Sequence, residues 1–260
     1  GFVNTSGSMN TFLGKGAGDS NTTASGNTFV GALAGGANTT AANNTVVGAN
    51  AGLLNSTGTG NTFMGKGAGD ANTTAHDNTF IGTDAGGSNV TGTGNTFLGT
   101  AAGDVNTASA NTFLGANAGG ANTSAADNTF IGTNAGLLNV TGVSNTFIGA
   151  RAGDSNTASG NTFIGKDAGG ANTAGTLNTF IGSNSGAGNS TSTKNTFVGA
   201  SSGQVNTGEL NTFIGANSGV ANTGGDFNTF LGADAGMELT ITNHNTFIGA
   251  TAGMMSQSGF

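Results

Sequence analysis

Apolar and polar positions recur along this chain with a period of 17 residues, occasionally shortened to 16. An Asn-Thr-Phe triplet marks each repeat, with Val46 in place of Phe once, and the consensus is N-T-F-I-G-x-x-A-G-x-x-N-T-x-x-x-x. Eleven intervals are 17 residues long and three are 16, so the chain is a tandem-repeat protein. Repeats begin at Asn10, Asn27, Asn44, Asn61, Asn78, Asn95, Asn111, Asn128, Asn145, Asn161, Asn178, Asn195, Asn211, Asn228 and Asn245.

This period predicts an all-β parallel β-solenoid, or β-roll, of about 15 coils with one repeat per coil. Seventeen residues are too few for two packed helices, and 51 Gly would make helices costly. Thr-Phe-Ile favours a strand, and a second segment such as Asn106-Thr107 is expected to form another short strand. We expect a single solenoid over residues 1–260, with a partial repeat at 1–9 and full repeats from Asn10 to about Phe260.

A longer period of 50 residues suggests an alternative coil. Residues 95–144, 145–194 and 195–244 are blocks of 50 residues, which suggests a triangular coil with three repeats per turn. The stretch from Asn61 to Gly94 holds only two repeats, and the loss of one side would shift every later side of a triangle. One repeat per coil is therefore favoured.

Positions 3 and 4 of the repeat are both apolar, and adjacent strand residues point to opposite faces. We expect the Phe column to fill the interior and the aliphatic column to form a stripe between subunits, most simply in a parallel homotrimer, although symmetry also allows a dimer. A bulge that turns both side chains inward is the alternative. The core column includes Phe12, Phe29, Phe63, Phe80, Phe97, Phe113, Phe130 and Phe147, and the stripe includes Leu13, Val30, Val47, Met64, Ile81, Leu98, Leu114, Ile131 and Ile148.

The two Asn of each repeat, at positions 1 and 12, are interpreted as structural. Their amides are expected to bond to the same amide in the coils above and below, and Asn tolerates corner conformations. At the C-terminal end, Leu239 and Ser256 replace the second Asn, and the apolar segment 254–260 is expected to cap the solenoid or to dock onto something.

Composition narrows the classes of partner. Five Lys or Arg and a net charge of -7 give no basic surface, so nucleic acid and anionic lipid are not expected as partners. No apolar run is long enough to span a bilayer, and the absence of Cys excludes a thiolate metal site. The chain begins with neither Met nor a signal sequence, which indicates a mature product or a fragment.

The repeated motif, as in the run 145–149 followed by Ala152-Gly153, resembles the head repeats of trimeric autotransporter adhesins. It is also similar to the Asn-Thr-rich repeats of bacterial surface and phage tail-fibre proteins. The resemblance covers essentially the whole chain and implies a trimeric parallel β-roll outside the cell or on a virion. The period is longer than that of adhesin heads, and no stalk, anchor or chaperone segment accompanies it, so no receptor-binding residue is transferred.

Residues typical of catalysis occur in isolation, so we predict no enzyme activity, cofactor or metal. His76 and His244 each lie in one variable segment, and the Gly-rich runs at 14–18 and 65–69 lack the spacing of a phosphate loop. Sequons such as those at Asn89 and Asn139 are expected by chance. The aspartates that follow Ala-Gly are two or three coils apart, too far to pair or share a metal: Asp19, Asp70, Asp104 and Asp154.

Two functions fit these features. The leading hypothesis is a structural or adhesive extracellular fibre module, a rigid rod that presents variable residues at positions 6, 7, 10, 11 and 14–17. Its partners would be other copies of itself, in a homotrimer or an end-to-end filament, and a cell-surface target. The alternative is an ice-binding solenoid, since the Thr at position 2, such as Thr11 and Thr28, form an uninterrupted rank and those at position 13 an imperfect one. Against ice binding, the two Thr ranks belong to separate segments.

Overall fold

The structure is a computed structural model that describes residues 1–254. It divides into two compact units, Gly1–Asn128 and Thr129–Phe260, which are described separately below. The cap expected from the apolar C-terminal segment, including Ser256, falls on 255–260 and lies outside the described residues.

Each repeat contributes one three-residue β-strand that covers positions 2 to 4. The described residues contain no helix, so the all-β class is confirmed. The first unit contains β1 (Thr11–Leu13), β2 (Thr28–Val30), β3 (Thr45–Val47), β4 (Thr62–Met64), β5 (Thr79–Ile81), β6 (Thr96–Leu98) and β7 (Thr112–Leu114). The second contains β8 (Thr129–Ile131), β9 (Thr146–Ile148), β10 (Thr162–Ile164), β11 (Thr179–Ile181), β12 (Thr196–Val198), β13 (Thr212–Ile214), β14 (Thr229–Leu231) and β15 (Thr246–Ile248).

Within each unit, consecutive strands pair in parallel and in strict register. Thr pairs with Thr and Phe with Phe, as in Thr11 with Thr28 in the first unit and Thr146 with Thr162 in the second. One repeat therefore makes one coil of a parallel β-solenoid, as predicted. The triangular coil of 50 residues is excluded, because it would pair strands three repeats apart.

The prediction of a second strand in each coil is wrong. Asn106-Thr107 and its equivalents are irregular. In several coils of 17 residues, two neighbouring backbone amides of this segment converge on one carbonyl instead of alternating. The amides of Thr22 and Thr23 both donate to one carbonyl, that of Thr39 in the next coil, at 3.1 and 3.5 Å. A ladder strand would give each of these amides its own acceptor or none.

Two invariant glycines close the corner that follows the strand. At position 5, Gly31 has a φ of 138°, and a Cβ there would lie 2.4 Å from the carbonyl oxygen of Gly48 in the next coil. At position 9, Gly35 has a φ of 57°, and its Cβ would lie 2.7 Å from the Phe29 ring. Both sites exclude a side chain by conformation and by space, which explains the fixed glycines of the repeat.

The core of each unit consists of columns of identical side chains. Phe29 and Phe63 have no exposed surface, and the small residue at position 8, usually Ala, is also buried in most coils. Adjacent Phe rings stack with centroids 4.7 to 5.3 Å apart, for example Phe213 on Phe230 and Phe230 on Phe247. Such stacking favours the one-coil register over alternatives.

The two Asn of one repeat hold a single turn carbonyl. The Asn27 and Asn38 amides both donate to the carbonyl of Ala41, at 2.9 and 3.1 Å. The Asn27 Oδ1 atom then accepts the backbone amide of Asn44 in the next coil. Amide-to-amide bonding of the expected kind occurs at position 12, where Asn38 donates to Asn21 at 3.0 Å. At position 1 the side chain bonds to backbone within its coil and in the next, which secures both the turn and the stacking, and Asn245 also donates to the Asn228 Oδ1 atom at 3.1 Å.

The 16-residue coils lack position 14 and keep the register. In residues 95–110, Asn95 and Asn106 donate to the carbonyl of Ala108, at 2.8 and 2.7 Å. That carbonyl lies two residues after Asn106, whereas it lies three residues after Asn38 in the longer coil. The shorter turn therefore preserves the acceptor that both asparagines need.

Candidate functional site

The outward side of the strands presents two ranks of side chains, which we call the outer strand face. It comprises the Thr at position 2 and the aliphatic residue at position 4 of every strand in each unit. The strands are regular: in β9, Phe147 is buried while Thr146 and Ile148 on either side are partly exposed. The alternative in which a bulge turns both apolar residues inward is therefore wrong.

The aliphatic rank of this face is incompletely covered in both units. Leu98 is 43% exposed and Leu13, in the first strand, 66%. In the first unit Met64 and Leu114 are also exposed, while Val30, Val47 and Ile81 are half-buried; in the second unit Ile131, Ile148, Ile164 and Val198 are half-buried and Ile181, Ile214, Leu231 and Ile248 are exposed. A continuous apolar rank of this kind is typical of interaction surfaces.

The core column lies on the other side of the same strands. Phe12, in the first strand, is half-buried. Val46 occupies the column between Phe29 and Phe63 and is fully buried. The remaining residues of the predicted column have no exposed surface: Phe29, Phe63, Phe80, Phe97, Phe113, Phe130 and Phe147.

The two Thr ranks have different roles. At position 13 the hydroxyl donates to the carbonyl of the same position in the next coil, as from Thr22 to Thr39 at 3.1 Å. The same bond runs from Thr157 to Thr173 at 2.7 Å, so this rank is part of the stack. At position 2, no Thr hydroxyl makes a hydrogen bond within residues 1–254, and this rank is left to solvent or to a partner.

Charged groups gather at two corners of the described coils. Asp70 and Asp104 lie on either side of Gly87, and burial, reinforced by the charge of Asp84, raises the pKa of both carboxyls. Asp84 is a neighbour that the sequence spacing did not suggest. No three acidic or imidazole side chains among residues 1–254 are placed to hold a metal ion.

In the second unit the charges pair. Arg151 donates to both carboxylate oxygens of Asp167, at 2.6 and 2.8 Å, and this lowers the pKa of Asp167. Burial raises the pKa of Asp154, which lies near the same pair. Of the other aspartates named from the sequence, Asp19 lies 3.8 Å from the amino terminus.

The remaining sequence candidates have local roles. The His76 Nδ1 atom lies 2.9 Å from the Asp77 carboxylate, and the His244 ring stacks on Phe227 with centroids 5.0 Å apart. The Gly-rich runs 14–18 and 65–69 are corners and turns of the coil. Asn89 and Asn139 are buried in the Asn column, which removes these sequons from the surface. The described surface has no pocket.

Two features escaped the sequence reasoning. The hydroxyls of Ser202 and Ser218, at position 8, donate to the carbonyls of Phe213 and Phe230 in the next coil. At position 17 of the second unit, large apolar residues occupy a corner with positive φ: Leu177, Leu210 and Phe227. The sequence signal for this corner was a large apolar residue where other repeats commonly have Gly, Asn or Asp.

The sequence matches no known family model and no curated protein. None of the described residues forms a helix long and apolar enough to cross a membrane. Functional inference therefore depends on the geometry of the outer strand face.

Proposed function

We propose that this chain is a non-catalytic structural module of an extracellular fibre, which associates with copies of itself through the outer strand face. The observation that carries the proposal is the aliphatic rank, which continues through every strand of each unit and takes no part in the buried core. Association would remove that rank from water. A parallel homotrimer at a cell surface or on a virion agrees with the resemblance of the repeat to adhesin heads and tail fibres.

The rest of the coil supports a scaffold role. Every strand is held by its neighbours in register, both Asn columns are buried, and the position 13 hydroxyls bond from coil to coil. Variable residues are confined to the corners, where a change leaves these bonds intact. A solenoid of this kind presents an adhesive or structural surface by its geometry.

Molar mass in solution tests the proposal. Light scattering should show a mass above the 24.8 kDa of one chain. Replacing Ile148, Ile164 and Ile181 by Thr keeps strand propensity but removes the apolar rank of three adjacent strands, and should return the protein towards a monomer. The matched control replaces Leu138 and Val205 by Thr. Both are exposed and lie outside the outer strand face, so the control should keep the wild-type mass.

A wild-type protein that stays monomeric at high concentration would refute the proposal. So would a control variant that dissociates as fully as the variant in the outer strand face.

Ice binding is the second candidate, because the position 2 hydroxyls have no partner among the described residues. They lie beside the aliphatic rank on one sheet, so hydroxyl and methyl groups repeat at about 4.8 Å along each unit. The position 13 hydroxyls, in contrast, donate hydrogen bonds to carbonyls of the next coil. Thermal hysteresis by the monomeric wild-type protein, lost on replacing Thr146 and Thr162 by Val, would support this function in place of self-association.

A further inference from the structure

In the second unit, one corner of the coil combines two unfavourable features. Leu177, Leu210 and Phe227 occupy position 17 of their repeats with φ values of 56 to 58°, a conformation that favours Gly. The same side chains are 59%, 41% and 51% exposed. In the full repeats of the first unit, position 17 holds residues suited to that conformation or small enough for it: Gly26, Asn43, Gly60, Asp77, Gly94, Ala110 and Asp127. The partial repeat at 1–9 differs, because Met9 at the same position has a φ of 54° and is 87% exposed.

Packing within the chain does not account for these three residues. Leu177 leans over Gly160 in the preceding coil, where a Cβ would lie 3.0 Å from it, and still exposes more than half of its surface. Phe227 stacks on His244, which is itself exposed. Since Gly is accommodated at this position elsewhere, backbone strain and exposed apolar area coincide here without a gain to the fold.

The outer strand face alone is small for a stable interface. Three-residue strands are about 10 Å long and are spaced by about 4.8 Å, which gives about 300 Å² in each unit. Neither unit's face reaches the area of about 800 Å² per partner that stable interfaces bury. Residues that border the face must therefore take part, and position 17 lies two residues before its Thr rank.

The opposite border has the complementary shape. Position 6 lies two residues after the aliphatic rank, and in the last coils of the second unit it is occupied by the exposed small residues Ala200, Ala216 and Ala233. Large side chains on one border and small ones on the other fit a head-to-tail contact. Such a contact is heterologous and gives a ring of copies where its rotation closes, rather than a two-fold dimer.

We propose that Leu177, Leu210 and Phe227 pack against the alanine border of a second copy of this chain and set the cyclic order of the assembly. This inference rests on the proposed self-association and adds its specificity: the outer strand face supplies the shared surface, and the apolar corner decides which border of the neighbour it meets. Large side chains are retained at this corner, despite its unfavourable φ, because only they reach the neighbour.

The first test replaces all three residues by Gly. The change removes positive-φ strain, so the thermal midpoint of the isolated chain should rise. The dissociation constant, measured by sedimentation equilibrium, should rise about tenfold or more, because three large apolar contacts are lost. Leu33→Gly is the matched control: Leu33 has a φ of 58° and is 45% exposed, but it lies at position 7 of the first unit. It should raise the midpoint without changing the dissociation constant.

The second test uses the absence of cysteine from the chain. A single Phe227→Cys variant should not form disulfide-linked dimers, because a head-to-tail contact does not bring the corner against itself. Phe227→Cys combined with Ala216→Cys or Ala233→Cys should form covalent rings under oxidation. The cross-link yields are compared on denaturing gels.

The outcomes separate this inference from the proposed function. If wild-type protein associates and the triple Gly variant associates equally tightly, or if Phe227→Cys alone gives efficient dimers, the corner contact is overturned while self-association stands. A wild-type protein that is monomeric throughout overturns both. The corner contact is supported if the triple Gly variant has a higher thermal midpoint and a higher dissociation constant, and if cross-links form only in the double Cys variants.

Discussion

The buried Asn column predicts that one substitution has opposite effects in adjacent coils. Asn189 is fully buried, and neither its Oδ1 nor its Nδ2 atom has a hydrogen-bond partner. Asn172, one coil earlier, donates to the Gly175 carbonyl at 3.0 Å and accepts the Gly175 amide at 2.8 Å. Leu239 occupies the same repeat position without any exposure, so the column accommodates Leu.

The expected magnitudes follow from these bonds. Asn189→Leu removes an unsatisfied buried amide and should stabilise the protein by about 1 to 2 kcal/mol. Asn172→Leu breaks two bonds and leaves the Gly175 amide buried without its acceptor, which should cost about 2 to 4 kcal/mol. The difference between two chemically identical substitutions should therefore reach about 3 kcal/mol or more.

Urea unfolding measures this difference if both variants are compared with wild type at one protein concentration, since association shifts the midpoint. The Asn189 variant should unfold at a higher urea concentration and the Asn172 variant at a lower one, with unchanged slopes. Equal losses in both variants would show that side-chain volume, and not hydrogen bonding, sets the cost at position 12. The reasoning from satisfied and unsatisfied amides would then be refuted.

Three further outcomes are expected. Val46→Phe should complete the ring stack of the first unit and raise stability by about 1 kcal/mol, read as a higher urea midpoint; a lower midpoint would show that the column has no room. Gly86→Ala should cost more than about 2 kcal/mol, because its Cβ would lie 2.5 Å from the ring of its own coil. Gly94→Ala, which meets nothing within 4 Å, should cost only about 1 kcal/mol, and equal losses by calorimetry would contradict the steric argument. Since burial raises the pKa of Asp104 above 3.8, the folded state holds this proton more tightly, and the contribution of Asp104 to stability should fall as the pH rises from about 4. Asp104→Asn should therefore have the higher melting temperature at pH 7 but not at pH 3, and a lower value at pH 7 would contradict the burial effect.

The sequence period was sufficient to predict the coil, its strand and the one-repeat register. These depend on residues that cannot be exchanged, such as the position 5 Gly that lies against the next carbonyl. The absence of a second strand was not predictable from Asn-Thr, because the same two residues at positions 1 and 2 lead directly into a strand. What differs is the backbone around them, where two amides converge on one carbonyl.

The apolar corner shows a second limit of sequence reasoning. Leu and Phe disfavour positive φ, so local preference gives no reason to place Leu177 or Phe227 in that conformation. The stacked coils above and below impose it, because the chain must enter the next strand at a fixed point. Its role is visible only when φ and exposure are known together.

The shortened coils show where this architecture can change length at no cost to its order. Coils with and without position 14 coexist in one stack, since the carbonyl that follows is held by the same pair of asparagines in both. Insertions at this corner should therefore project from the surface as loops, while the columns of neighbouring coils stay aligned. Position 14 is thus the natural graft site for foreign peptides, and the interval between grafts would be set by the spacing of the coils.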